Sequence, residues 1–380
     1  MFRSYFLFCM SLILSQGILA QDPVFSQFGK IRIFTNPAVT GINGGLTITG
    51  AAREQWGSIQ GTAPLWGTFR TQFAAVDYSF SSNRNGIGLF FMNDVEGDAN
   101  LRTEYGGFSY SFVIPVDQWH GIHNFRLGFG LYYSRKTLQW DALLFSDQLH
   151  PKGNDYFLPI SNHTQYFDEF QDNPPFWTGL SLGLMYRYSE KDALGKGKQF
   201  SLGLGYTHLV SLLSSTDVES LQRAGTQRDG RLSSTGSAVF PRMKFGPKDN
   251  RFIPVVSGGL DFQGNLSAFT TGMDLLYKNV GLGVYYRNSL ANTFLNSTDA
   301  LIFAFTMEIF FKESQSIELG LSYDVNINGL GAYTGSVFEI VTKYRIGKLS
   351  NATVCPALWR VDRDWNKFSF YRDSNTKKSN

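Results

Sequence analysis

Side chains able to do acid–base or metal chemistry are thinly spread along this chain. The five histidines, His120, His123, His150, His163 and His208, are too scattered to suggest a metal site. His120 and His123 sit at a turn leading into a strand, where a solvated imidazole is the ordinary outcome. Asp324, Asn326, Asn328 and Gly329 copy the opening of a calcium loop, but its twelfth position is Gly335, where a bidentate glutamate is needed. Strand end plus turn is the better reading. Gly281-Leu282-Gly283 has the look of a nucleotide loop yet lies inside an alternating strand, not between a strand and a helix. Asp141, Asp147, Asp155, Asp168, Glu169 and Asp172 gather in one long loop and read as a solvated outer surface or a binding face. No Ser-His-acid or Cys-His set can be assembled from spacing, so neither catalysis nor a cofactor is expected.

The elements that hold these residues are strands. Leu180, Leu182, Leu184, Tyr186 and Tyr188 alternate with Gly179, Ser181, Gly183, Arg187 and Ser189 at their sides. The form repeats with Leu127, Phe129, Leu131 and Tyr133 against Arg126, Gly128, Gly130 and Ser134. It repeats again at Leu202, Leu204 and Tyr206, and at Val280, Leu282, Val284 and Tyr286. Side chains alternate across a strand, so each segment carries one apolar face and one face of glycine, hydroxyl and charge. In a membrane barrel the first meets lipid and the second lines the lumen. The pattern predicts strands at 45–54, 66–80, 84–94, 102–114, 123–136, 176–189, 199–209, 236–245, 251–262, 267–277, 279–288, 300–312, 316–326 and 334–346. That is about fourteen, an even number as closed bacterial barrels require. The eighth is the weakest, because it contains Pro241.

Connections after odd-numbered strands include the long ones, and connections after even-numbered strands are short or moderate. Such one-sidedness is the habit of a membrane barrel with long extracellular loops and short periplasmic turns. It puts both the mature N-terminus and the C-terminus in the periplasm.

Composition agrees. Aromatics make 16% of the chain and charged residues only 17%, against about 25% charged in soluble domains. The net charge of +3, without a basic run interleaved with aromatics, gives no sign of nucleic-acid binding. Residues 1–20 read as a cleaved secretory signal: Arg3, an apolar stretch from Tyr5 to Leu19, then Ala20 before polar Gln21-Asp22. Cys9 leaves with it, and Cys355 remains alone, so no internal disulfide is possible.

Just after the signal stand Gln21, Asp22, Pro23, Val24, Phe25, Ser26, Gln27 and Phe28, followed by Asn36, Pro37, Ala38 and Gly41, then Arg53, Gln55 and Trp56. Gly86, Gly88, Asn93 and Asp94 continue the pattern. Leu319 to Asp324, Gly335 to Ile340 with Glu339, and Cys355-Pro356 close it. This resembles the PorP/SprF family of type IX secretion system membrane proteins over nearly the whole chain. Phe338 departs from it, standing where a histidine more commonly precedes the glutamate.

The resemblance implies a non-enzymatic outer-membrane component that helps secrete, or hold at the surface, large adhesins and other cargo, in some members for gliding motility. It implies partners among the periplasmic ring and peptidoglycan-linked proteins of that machine. A porin-like or hydrophobic-compound transporter is the alternative that the barrel pattern alone leaves open, and a barrel enzyme would need a nucleophile that is not found. The expected organisation is a signal at 1–20, a periplasmic segment at 21–44, a barrel at 45–346 and a basic periplasmic tail at 347–380. The segment 21–44 is expected to pack in the periplasmic mouth or lumen with Phe25, Phe28 and Phe34 as anchors, or else to be a loose leader. The tail, with Trp359, Arg360, Arg363, Trp365, Lys367 and Arg372, is expected to dock a periplasmic partner or lipid headgroups, or to be solvated.

Overall fold

The computed structural model describes residues 22–56, 69–80, 84–97, 100–118, 121–137, 139, 149–152, 156–159, 176–190, 198–209, 211–214, 230–240, 243–244, 251–263, 266–289, 300–312, 315–327 and 335–346. Fourteen strands form the wall: β1 (Leu46–Gln55), β2 (Phe69–Phe80), β3 (Asn85–Glu96), β4 (Leu101–Gln118), β5 (Gly121–Thr137), β6 (Phe176–Glu190), β7 (Gln199–Thr207), β8 (Arg231–Val239), β9 (Arg251–Gln263), β10 (Leu266–Tyr277), β11 (Val280–Ser289), β12 (Ala300–Lys312), β13 (Gln315–Asn326) and β14 (Val337–Ile346). Each pairs antiparallel with its chain neighbours. β1 also pairs with β14, Leu46 opposite Ile346 and Gln55 opposite Val337, and this ladder closes the barrel. Closure satisfies the edge strands that lipid could not.

The fourteen predicted strands are all present. The eighth moves to Arg231–Val239 from the expected 236–245, and Pro241 lies beyond it. Proline has no N–H for the ladder, whereas Arg231–Val239 pairs along its length with both β7 and β9. Within the expected loop 137–175, Leu149–Lys152 and Tyr156–Pro159 form a separate two-stranded ribbon.

The wall has the two-faced character that alternation predicts. Leu89, Phe129, Leu131, Leu282, Val284, Phe303 and Tyr323 are exposed on the outside. Between them, Asp77, Ser109, Ser111, Arg126, Arg187, Glu318 and Glu339 are buried inside. At one mouth lie connections 81–84, 119–120, 191–198, 240–250, 278–279 and 313–314, and at the other lie 56–68, 97–100, 138–175, 208–230, 264–265, 290–299 and 327–336. At the second mouth 264–265 and 97–100 are short, and at the first 240–250 is long. The two are named here the short-turn mouth and the long-loop mouth.

Among the described residues the interior is a packed core. Phe25, Ile31, Ile33, Phe34, Ala38, Val39 and Ile42, all preceding β1, cluster with inward-facing Phe73, Ala75, Met92, Tyr105, Trp177, Met185 and Val341. Burying each large apolar side chain in this way is worth about 1.5–3 kcal/mol. A water-filled pore would forfeit that for the segment 22–44.

Candidate functional site

Residues 22–45 form a strap inside the barrel. Pro23 and Pro37 withhold N–H groups from any ladder, and Gly41, Gly44 and Gly45 adopt positive φ. A short 3₁₀ turn, Pro37–Val39, is capped by Asn36, whose Oδ1 accepts from the Ala38 N–H at 2.9 Å. Turns within the strap pair some of its backbone groups, such as the Lys30 N–H with the Gln27 carbonyl and the Asn36 N–H with the Arg32 carbonyl, and others find partners on the wall.

At the long-loop mouth the strap begins in a polar clasp around Asp22. Its carboxylate accepts from Tyr105 Oη at 2.8 Å, His208 Nε2 at 2.6 Å and Gln263 Nε2 at 3.3 Å. Its backbone N–H donates to Gln263 Oε1 at 3.0 Å. Arg231 donates to the Pro23 carbonyl at 3.3 Å, pairs with Asp261 at 2.9 Å and lies over the Phe34 ring. By strand parity His208 should face outward, since inward Thr207 precedes it. The strand breaks there instead, with His208 at φ 59, and resumes at Ser211–Ser214 against the same neighbour, β6. Such a break re-aims a side chain, and here it turns the imidazole onto Asp22. Burial and the nearby Arg231 guanidinium push His208 down to about 4. The neutral ring then donates from Nε2 to Asp22 and accepts at Nδ1 from Tyr132 Oη, 2.5 Å away.

A second grip follows at once. The backbone N–H groups of Ser26 and Gln27 both donate to the Glu339 carboxylate, at 2.7 and 2.9 Å. Glu339 is completely buried and faces Arg53 at 4.0 Å. Arg53 donates to the Val24 carbonyl. Ser26 Oγ donates to Asp324 at 2.6 Å, and Arg287 joins Asp324 at 3.1 Å to the Phe25 carbonyl at 3.3 Å. A buried carboxylate is costly unless paired and hydrogen-bonded. Here both acids have cations, and the strap adds donors to each: two backbone N–H groups to Glu339 and the Ser26 hydroxyl to one oxygen of Asp324.

Further down, Lys30 donates to Thr306 at 2.7 Å and lies 3.5 Å from Glu318. Arg345 bridges Glu318 and Glu308. At the short-turn mouth the Gly41 N–H donates to Asp77 at 3.0 Å, and the Thr40 carbonyl accepts from Ser111 and Arg126.

The inward glycines now have a particular use. A Cβ on Gly128, Gly183 or Gly205 would strike the strap between Thr35 and Ala38, and one on Gly86 would strike the Thr40 carbonyl. Gly41, at φ 69, is pressed against Gly86, so neither position admits a side chain. Small cavities lie among the described residues. One cavity of about 70 Å³ lies beside Phe28, Lys30, Asp274, Tyr285, Thr306 and Glu318, and one of about 40 Å³ beside Arg32, Ile42 and Lys343. These are spaces for a few waters.

Of the residues singled out by sequence, Asp22, Pro23, Phe25, Ser26, Gln27, Arg53 and Glu339 come together in the two grips. Two motifs over three hundred positions apart thus meet. Phe28 packs edge-on to Tyr285, and Asn36-Pro37 seats against β5 and β6. Trp56 is apart from them, edge-on to Phe69 where β1 ends. Phe338 faces outward, away from the grips. Gln21, Cys355, Pro356 and the acidic residues of 141–147, 155 and 168–172 lie outside the described residues. Asp324 is engaged by Ser26 and Arg287. Sequence reasoning missed Arg126, His208, Arg231 and Arg287. Arg126 and Arg287 were readable as charges on the glycine-and-hydroxyl face, Arg231 fell in the loop expected before the eighth strand, and His208 was hidden by the strand break.

The profile of the PorP/SprF family, described as type IX secretion system membrane proteins, matches residues 18–344. The chain belongs to this family. It is therefore an outer-membrane β-barrel component of the type IX secretion system. No curated protein matches it. Among solved structures it is similar to Omp33 of Acinetobacter baumannii (9% identity over 81% of this chain and 100% of that one, TM-score 0.37). Two monoaromatic hydrocarbon channels also match: CymD (12%, 88% and 97%, TM-score 0.41) and a TodX deltaS2 mutant (11%, 84% and 94%, TM-score 0.42). Likenesses this distant carry no argument about function.

Proposed function

We propose that this PorP/SprF protein works as a closed barrel that binds other proteins at its rims, without catalysis, to assist secretion or surface display of large adhesins and other cargo, in the service of gliding where the cell glides. The observation that carries this reading is the strap: with the lumen filled and gripped on all sides, the long loops and the short-turn mouth are the surfaces left to work with. Long loops facing outward suit a surface adhesin or cargo. The short turns and the basic tail 347–380 suit the periplasmic ring and peptidoglycan-linked components.

Co-purification after mild crosslinking in the native host tests it. Recovery of ring proteins or a surface adhesin is expected, and a barrel that returns alone from cells engaged in secretion would overturn the reading. The competing reading is a porin-like or hydrophobic-compound transporter. It requires a conducting lumen, so a solute flux through the unaltered protein would favour it.

A further inference from the structure

The strap does not fold back on itself to leave by the mouth through which it entered. Four side-chain partners of Asp22 sit at the long-loop ends of their strands. Tyr105 is near the start of β4, Arg231 begins β8, Gln263 ends β9, and His208 follows β7 directly. The other end of the strap is at the opposite mouth. Thr40 and Gly41 bond to Ser111, Arg126 and Asp77, the Ser79 N–H donates to the Gly45 carbonyl at 2.9 Å, and Leu46 opens β1 opposite Ile346.

We propose that the chain is threaded through its own barrel, so that the residues leading into Asp22 and the tail after Ile346 emerge on opposite faces of the outer membrane. This replaces the expectation that both termini share the periplasm. Strand parity fixes where the wall begins and ends, but not where a strap that is not a strand has come from. With the long loops at the cell surface, as the function reading has it, the start of the mature chain is displayed beside them and the tail faces the periplasm. That assignment of faces rests on the function reading, whereas the threading does not. Threading also constrains assembly. The β1–β14 ladder encloses the strap, which must be in place before that seam closes or be drawn through a mouth afterwards.

The test uses cysteine accessibility in whole cells. A Gly-Ser-Cys-Gly-Ser insertion between Gln21 and Asp22 is made in a Cys355→Ser background, and Cys355 itself reports on the tail in the unaltered protein. A membrane-impermeant maleimide is applied to intact and to permeabilised cells. The insertion is expected to react fully in intact cells, and Cys355 only after permeabilisation. If the two exchange roles, the threading stands and the assignment of faces fails. If both react under the same condition, the threading is overturned. Should the insertion lose the heat-modifiable migration of a folded barrel, a shorter Gly-Ser-Cys insertion at the same place in the same background, which leaves Gln21 after Ala20, provides the readout.

Discussion

Replacing Glu339 should release the strap locally without opening the wall. Its carboxylate accepts two backbone N–H bonds, from Ser26 at 2.7 Å and Gln27 at 2.9 Å, and stands 4.0 Å from Arg53. A hydrogen bond to a charged group is worth about 1.5–3 kcal/mol, and removing one partner of a buried pair costs about 3–5 kcal/mol, because the other charge is left uncompensated. Glu339→Ala should therefore weaken this grip by about 3–5 kcal/mol. With tenfold for each 1.4 kcal/mol, local opening should rise by about a hundred- to a few thousand-fold. Hydrogen–deuterium exchange on the purified barrel in detergent reads this directly, since exchange of buried amides tracks local opening. The amides of Ser26 and Gln27 should accelerate, while those of β5, which carries no residue of this grip and lies five strands from β14 in the ladder, should not. Glu339→Gln keeps the shape and one acceptor oxygen, and should show about a tenfold effect. Unchanged exchange at Ser26 and Gln27 in Glu339→Ala would refute the reasoning, because the carboxylate would then not be what holds them.

Two further perturbations probe the strap elsewhere. Gly128→Ala puts a Cβ about 2.5 Å from Ala38 Cα and should destabilise the seating of the Pro37 turn by about 1–3 kcal/mol, seen as faster exchange at Ala38 to Thr40. Gly106→Ala meets nothing within 4 Å and should leave that exchange unchanged. The clasp at the long-loop mouth should weaken in acid. His208 is held at about 4 against an ordinary 6.5, so a released strap takes up its proton first. The stabilisation is then complete above about pH 6.5 and is lost as pH falls towards 4, by at most about 3 kcal/mol. The Asp22 carboxylate at 2.6 Å works the other way and makes that figure a ceiling. Exchange of the Val24 and Phe25 amides, corrected for intrinsic rate and followed from pH 8 to pH 4.5, checks it, and His208→Gln should flatten the profile.

The wall was legible in the sequence because a strand has a period of two and a membrane barrel imposes it on every strand. Leu282 and Val284 face out and Arg126 and Ser134 face in, as their parity dictates. Where the outward face lost its apolar signal the reading slipped: Arg231–Val239 is mostly polar on both faces, and the strand was placed several residues late. The strap has no period, so its path was not legible. What the sequence did hold was Phe25 and Phe34 as anchors for packing and Asn36-Pro37 marking a turn, with a loose leader left open beside them. The pairing of Ser26 and Gln27 with Glu339 follows from barrel closure, which brings β14 beside β1. No local pattern contains that. His208 shows a different limit, since one break in a strand reverses parity and turns an outward residue into part of the clasp.

Single-channel recording in planar bilayers tests the central claim, a lumen closed by residues 22–44, most directly. The unaltered protein should insert without stepwise conductance, and a deletion of residues 22–44 that keeps residues 1–21 and the barrel should produce discrete openings. Equal conductance in the two proteins, whether both conduct or neither does, would contradict the claim that the strap is what closes the barrel.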